Sequence, residues 1–219
     1  MNVGVLGSSG GSVFSAAQRI FAATPPVSIA WSVATDRPCG LARAAAQLGI
    51  PYAFVPGSSA ASSAAAAEFF AANNVHVVLL YHTRIVEREL FARLPTINFH
   101  PAVLPAFPGL HALERTVAAA ASMFGATAHV VDASVDGGPI IAQVAAPLAD
   151  APFESIARAS FVQKTYLTLL VVDALCRGTL LIEDGGIPRW LGEPQLAPAL
   201  AEAFAEFAQR EDDARIVPC

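Results

Sequence analysis

The sequence predicts an α/β protein: a Rossmann-like open, mostly parallel sheet with helices on both faces and an antiparallel C-terminal addition. Three observations carry this. Short apolar runs alternate with helix-length stretches through the first hundred residues, as in βαβ units. The glycine turn Gly7-Ser8-Ser9-Gly10-Gly11 joins the first such run to a helical pattern. Two later apolar runs are separated only by residues 132–139, too short for a crossover helix, so they pair antiparallel.

Residues 2–7 form the first strand, followed after the glycine turn by a helix over 12–22. Within it Val13, Ala17 and Ile20 share one face at i, i+4 and i+7. Pro25-Pro26 ends that helix, because proline lacks an N–H and restricts the residue before it. A strand over 27–34, a helix over 41–48 closed by Gly49 and a short strand over 52–55 follow. Residues 57–63 read as a small-residue loop and 64–73 as a helix. The run 76–81 is nearly continuously apolar, as a centre strand buried on both faces should be. After a strand over 96–100 the texture changes, with Pro101, Pro105 and Pro108 close together. A helix over 112–122, strands over 127–131 and 140–144, a long helix over 153–177 stopped by Gly178 and a short strand over 180–182 complete the order. The connections between parallel strands are right-handed. No internal repeat or linker interrupts the chain.

Composition narrows the function classes. Of 219 residues 54% are hydrophobic and 14% charged, enough for a substantial core and unlike a disordered chain. The formal net charge is −5, from 13 basic and 18 acidic residues, and Lys164 is the sole lysine. No basic stripe exists to follow a phosphate backbone, so nucleic acid is not an expected partner. Mean hydropathy is +0.51, but alanine supplies much of it. The longest apolar run, 166–175, contains Thr168 and Asp173 and is shorter than the roughly 20 residues that span a bilayer, so no membrane partner is expected. The first residues read as a strand and lack a basic n-region or a signal-like cleavage site. Cys39, Cys176 and Cys219 are widely spaced and lack metal-ligand spacing. They read as two small apolar residues and a tail thiol in a cytoplasmic protein with no metal site.

Two segments carry residues suited to chemistry. In Ile97-Asn98-Phe99-His100-Pro101, strand alternation projects Asn98 and His100 to one face at the carboxyl end of a strand, where ligands of open α/β sheets bind. The pair supplies an amide that donates to an oxygen and an imidazole that exchanges a proton. In Asp132-Ala133-Ser134-Val135-Asp136-Gly137-Gly138-Pro139, Asp136 lies on a tight loop whose glycines let the backbone approach a ligand. Taken singly, a strand-end Asn or His more often caps a turn, and Asp-Gly-Gly-Pro is a turn signal.

Together the two segments resemble the folate-dependent formyltransferases, most specifically the branch that formylates phosphoribosylglycinamide in purine synthesis. The resemblance covers residues 1 to about 175. It is sharpest from Asn98-Phe99-His100-Pro101 through Phe107-Pro108-Gly109-Leu110-His111, and again from Gly125 to Ile141. It implies transfer of a formyl group from 10-formyltetrahydrofolate to a small amine, with Asn98, His100 and Asp136 in the catalytic positions. Asn98 and a protonated His100 would stabilise the developing oxyanion. Asp136 would favour the imidazolium and order a water that carries the amine's proton. His111 would help position Asp136. Arg84, Ile85, Val86, Asp132 and Val135 would flank the folate, and Gly10, Gly11, Ser12, Val13 and Gln163 would face the phosphate and the amine substrate. His76, His82 and His129 are expected to be structural or peripheral. The resemblance divides one domain, 1–219, into a nucleotide- or phosphate-binding-like half (1–100), a catalytic and folate-binding half (101–192) and a tail (193–219). It is compatible with a monomer or a homodimer.

Two regions depart from the family. Val13 stands where an asparagine that donates to the phosphate is usual, and Ser160 and Gln163 stand where polar residues including a glutamate are usual. Both lie on the amine side, which admits another acceptor such as an amino-sugar nucleotide. Other readings compete. A 10-formyltetrahydrofolate hydrolase would use similar catalytic residues, and a relative with a drifted pocket would not turn over. The Gly-x-Ser-x-Gly pattern centred on Ser9 also fits the nucleophile elbow of a serine hydrolase. Gly4, Gly7 and Gly10 with Asp36 loosely fit a dinucleotide turn.

Overall fold

The computed structural model describes residues 1–24, 28–81, 84–148 and 150–211, and the backbone of 217–218. Pro25, Pro26, His82 and Cys219 lie outside the described residues. The elements run β1 (Asn2–Gly7), α1 (Ser12–Ala23), β2 (Ala30–Thr35), α2 (Gly40–Leu48), β3 (Tyr52–Phe54), α3 (Ser59–Ala72), β4 (Val77–Tyr81), α4 (Arg88–Phe91) and β5 (Thr96–His100). Then follow α5 (Ala112–Ala118), β6 (Met123–Val130), β7 (Ile140–Pro147), α6 (Phe153–Arg177), β8 (Leu180–Ile182), β9 (Pro188–Trp190), α7 (Pro198–Arg210) and β10 (Val217–Pro218).

Eight strands form one sheet in the order β10-β7-β6-β5-β4-β1-β2-β3. The pairs β1–β2, β1–β4, β2–β3 and β4–β5 are parallel. The pairs β5–β6, β6–β7 and β7–β10 are antiparallel, which is the expected addition. Core side chains lie on both faces. One cluster gathers Phe14, Val33, Ile97 and Leu169 under α1 and α6; another gathers Leu6, Phe70, Leu80 and Leu90 under α3 and α4.

The differences from the expected elements have local causes. The segment 57–63 is not all loop: α3 starts at Ser59, and Ser58 Oγ caps it by accepting from Ala61 N at 3.3 Å. The helix expected over 112–122 stops at Ala118, because β6 begins at Met123 and pairs along its length with β7. Residues 193–219 contain α7, whose Leu200 and Phe204 are buried and whose Phe204 and Phe207 meet Tyr166 and Phe161 of α6. β9, also unforeseen, pairs with β8. Asp173, fully buried on α6, fixes this C-terminal region by accepting from Arg177 Nε at 3.1 Å and Ala197 N at 2.9 Å.

Helix α6 is 25 residues long and, by length and hydropathy alone, passes as a membrane span. It is instead the core helix, its residues from Val162 to Ala174 largely buried against the sheet. The turn after β1 brings two backbones together. A Cβ on Gly40 would stand 2.3 Å from Gly10 O, and Gly11 has φ 73°, so glycine at both positions lets α2 abut the mouth of α1.

Candidate active site

β5 ends at the carboxyl edge of the parallel strands. Its antiparallel register sets Asn98 opposite His129 of β6 and His100 opposite Thr127. Asp136 comes from the β6–β7 loop and takes the left-handed region with φ 52°. That loop is seated by Gly138, where a Cβ would stand 1.9 Å from Val130 O.

The three expected catalytic residues form one hydrogen-bonded cluster. Asn98 Nδ2 donates to Asp136 Oδ1 at 3.1 Å. Asp136 Oδ2 accepts from Gly109 N at 2.7 Å and lies 3.2 Å from His100 Nδ1. His100 Nε2 is 2.9 Å from Phe107 O. His129 joins them, with Nε2 3.1 Å from Asn98 Nδ2 and 3.5 Å from Asp136 Oδ1, and Nδ1 3.1 Å from Val130 O.

Electrostatics separate the acid from the base. Burial alone would raise Asp136, but hydrogen bonds from His129 and Gly109 N–H, with the nearby His100, hold it at about 2. It is therefore a carboxylate throughout the neutral range. His100 is governed first by burial, which lowers it below 6.5; the Phe107 carbonyl and Asp136 oppose that and do not overcome it. The protonated His100 expected from the sequence is thus not the resting form at pH 7, since desolvation outweighs the carboxylate. Both ring nitrogens nevertheless face acceptors, an arrangement that only the imidazolium satisfies fully. The site is built to receive a proton.

The cluster opens on a cavity of about 710 Å³. Arg84, Ile85, Val86, Asp132 and Val135 all line it, as do Gly11, Ser12 and Val13. Gly10 does not; it backs onto Gly40. Gln163 is displaced from its expected place: it is 1% exposed and its amide atoms have no hydrogen-bond partner among the described residues. One residue further along α6 turns the side chain by about 100°, and Lys164 lines the cavity instead. His111 lines the cavity but does not hold Asp136. Its ring is exposed, with Nδ1 3.7 Å from Glu114 Oε1, and the Gly109 amide does that work.

His129, Lys164 and Gly109 were missed in the sequence. His129 was legible in principle, because pairing the expected strands 96–100 and 127–131 antiparallel can place it beside Asn98. Lys164 showed only as an isolated lysine, and a backbone amide leaves no side-chain signal.

The competing readings lose their parts. Ser9 lines the cavity, yet among the described residues its hydroxyl has no hydrogen bond to a histidine that could activate it. Asp36 is buried and paired with Arg37 at 3.0 Å and Arg84 at 3.2 Å, so it is not poised for a ribose.

Comparison with known proteins agrees with this geometry. A family model described as formyl transferase matches residues 1–159. Phosphoribosylglycinamide formyltransferase of Mycobacterium tuberculosis is 36% identical over 126 residues, 54% of this chain. That match spans 59% of the relative's own length. The crystal structure of glycinamide ribonucleotide transformylase 1 from Symbiobacterium toebii superposes with a TM-score of 0.77 at 30% identity, covering 88% of this chain and 94% of that one. Formyltetrahydrofolate deformylase of Escherichia coli is 40% identical over 70 residues, 31% of this chain and 25% of that protein.

Proposed function

Because the chain belongs to the formyl transferase family, we propose that it transfers a formyl group from 10-formyltetrahydrofolate to a small primary amine. The acceptor in this reading is phosphoribosylglycinamide, the compound named in its relatives, and the setting is purine biosynthesis. The observation that carries it is the convergence of Asn98, His100 and Asp136 on the wall of one cavity.

The cavity suits a flat, partly apolar carrier. Ile85 and Val135 are apolar yet exposed, surface that a bound ring would cover, and Val86 and Arg84 lie beside them. When bound, the folate supplies the electrophilic formyl carbon and a nitrogen as leaving group. Asn98 can turn one N–H towards the oxygen where negative charge develops while its other N–H stays on Asp136. As the amine nitrogen bonds to the formyl carbon, His100, neutral at rest and backed by a carboxylate, takes the amine's proton and returns it to the folate nitrogen as the old C–N bond breaks. Asp136 positions both partners at once. On the amine side the backbone at Gly11 and Ser12, at the start of α1, faces an anionic acceptor group; Val13 adds no donor. Transfer between two molecules held in one cavity needs no covalent enzyme intermediate.

The site is complete within one chain, so a monomer or a homodimer serves. Cys39 and Cys176 are both free thiols, which supports a cytoplasmic setting. The deformylase among the similar proteins favours a second reading, release of formate from the same carrier. A panel of amines supplied with the formyl donor separates the two. Deformylated folate that appears only with an amine, and is lost in His100→Ala, supports transfer. The same rate without amine supports hydrolysis.

A further inference from the structure

Lys164 is the chain's only lysine; it lies near the middle of α6 and lines the cavity. Among the described residues it makes no hydrogen bond or salt bridge; Glu114 acts on it only at longer range. Burial disfavours its charge. An ammonium left in that position without an anion is destabilising, and a ligand anion removes the cost. The cavity's other cations are placed differently. Arg84 is held by Asp36 at 3.2 Å and Gly57 O at 2.9 Å, and Arg88 sits exposed on α4.

Position argues for the acceptor and not the donor. The apolar surface at Ile85, Val86 and Val135 lies along the β4 and β6–β7 loops. Lys164 comes instead from α6, the helix that packs against α1, and α1 opens at Ser12 beside Gly11. His100 feels the charge of Lys164.

We infer that Lys164 is a specificity-determining residue, binding a carboxylate or phosphate of the acceptor amine and so restricting the enzyme to anionic acceptors. This rests on the formyl-transfer reading above. An ammonium in the cavity favours an anionic group and rejects a cationic one.

Two measurements on the full chain test it. Thermal unfolding of wild type, Lys164→Met and Lys164→Arg is followed with inorganic phosphate and with acetate as probes. The inference expects at least one probe to raise the Tm of wild type and Lys164→Arg and to leave Lys164→Met unmoved. A response to phosphate alone assigns a phosphate, and a response to acetate assigns a carboxylate. No response in wild type, or an equal one in Lys164→Met, overturns it. In steady state, Lys164→Met should raise KM for phosphoribosylglycinamide by about tenfold or more, the scale of one charge-assisted hydrogen bond, with Lys164→Arg recovering most of it. KM for the formyl donor should not move. A change in donor KM, or one confined to kcat, overturns the inference. If wild type transfers to no amine, the formyl-transfer reading fails, while the probe response still decides whether Lys164 binds an anion.

Discussion

Asn98 and His129 face one another across the β5–β6 register, Nδ2 to Nε2 at 3.1 Å, and both reach the same oxygen of Asp136. The amide proposed to stabilise the developing charge is therefore held from two sides before any substrate arrives. Strand pairing sets the amide beside Asp136, and only one N–H has to turn to meet the oxyanion.

Asn98→Ala should lower kcat for formyl transfer by about 10²–10³, the usual effect of removing one donor to a developing oxyanion. His129→Ala should cost less, roughly tenfold, because it acts through Asn98 and Asp136. The two losses should not add. Steady-state rates of both single variants and the double variant check this.

His100 should titrate below 6.5 in the free protein, since burial outweighs its partners. Asp136 raises it, so Asp136→Asn should move the titration lower still. Ring-proton NMR over pH reads both values. The acid limb of kcat/KM should follow them, falling as the neutral ring is protonated.

Most of the parallel sheet was legible because its strands are continuous apolar runs punctuated by glycine and proline. The convergence of Asn98, His100 and Asp136 was legible because they sit in two dense motifs. Alternation alone put the first two on one face. What escaped depended on three dimensions. Helix α7 looked like a tail because its apolar residues find their partners, Tyr166 and Phe161, only through folding. Gln163 and Lys164 differ by one position, and only the packing of α6 decides which of them meets the cavity. The low value of His100 comes from burial, which no local motif encodes.

Asp136 should tie stability to acid pH. Its folded value is about 2 against 3.8 in the unfolded chain. The depressed value means the contribution is present above 3.8 and is lost as pH falls towards 2. Asp136→Asn does not titrate, so the stability gap between it and wild type should shrink over that window. Urea unfolding at about pH 5 and about pH 2.5 measures the change.

Gly138→Ala should displace the Asp136 loop, because its Cβ would collide with Val130 O at 1.9 Å. The expected cost is about 1–3 kcal/mol in stability, with kcat falling more than donor binding. Denaturant midpoints together with kcat and donor KM distinguish this from global unfolding.

The central claim is transfer of the formyl carbon to an amine. Its most direct test supplies 10-formyltetrahydrofolate labelled at that carbon together with phosphoribosylglycinamide and follows the label. Label in the formylated amine, dependent on Asn98 and His100, is the expected result. Label released as formate at the same rate without amine, or retained on the folate, would contradict it.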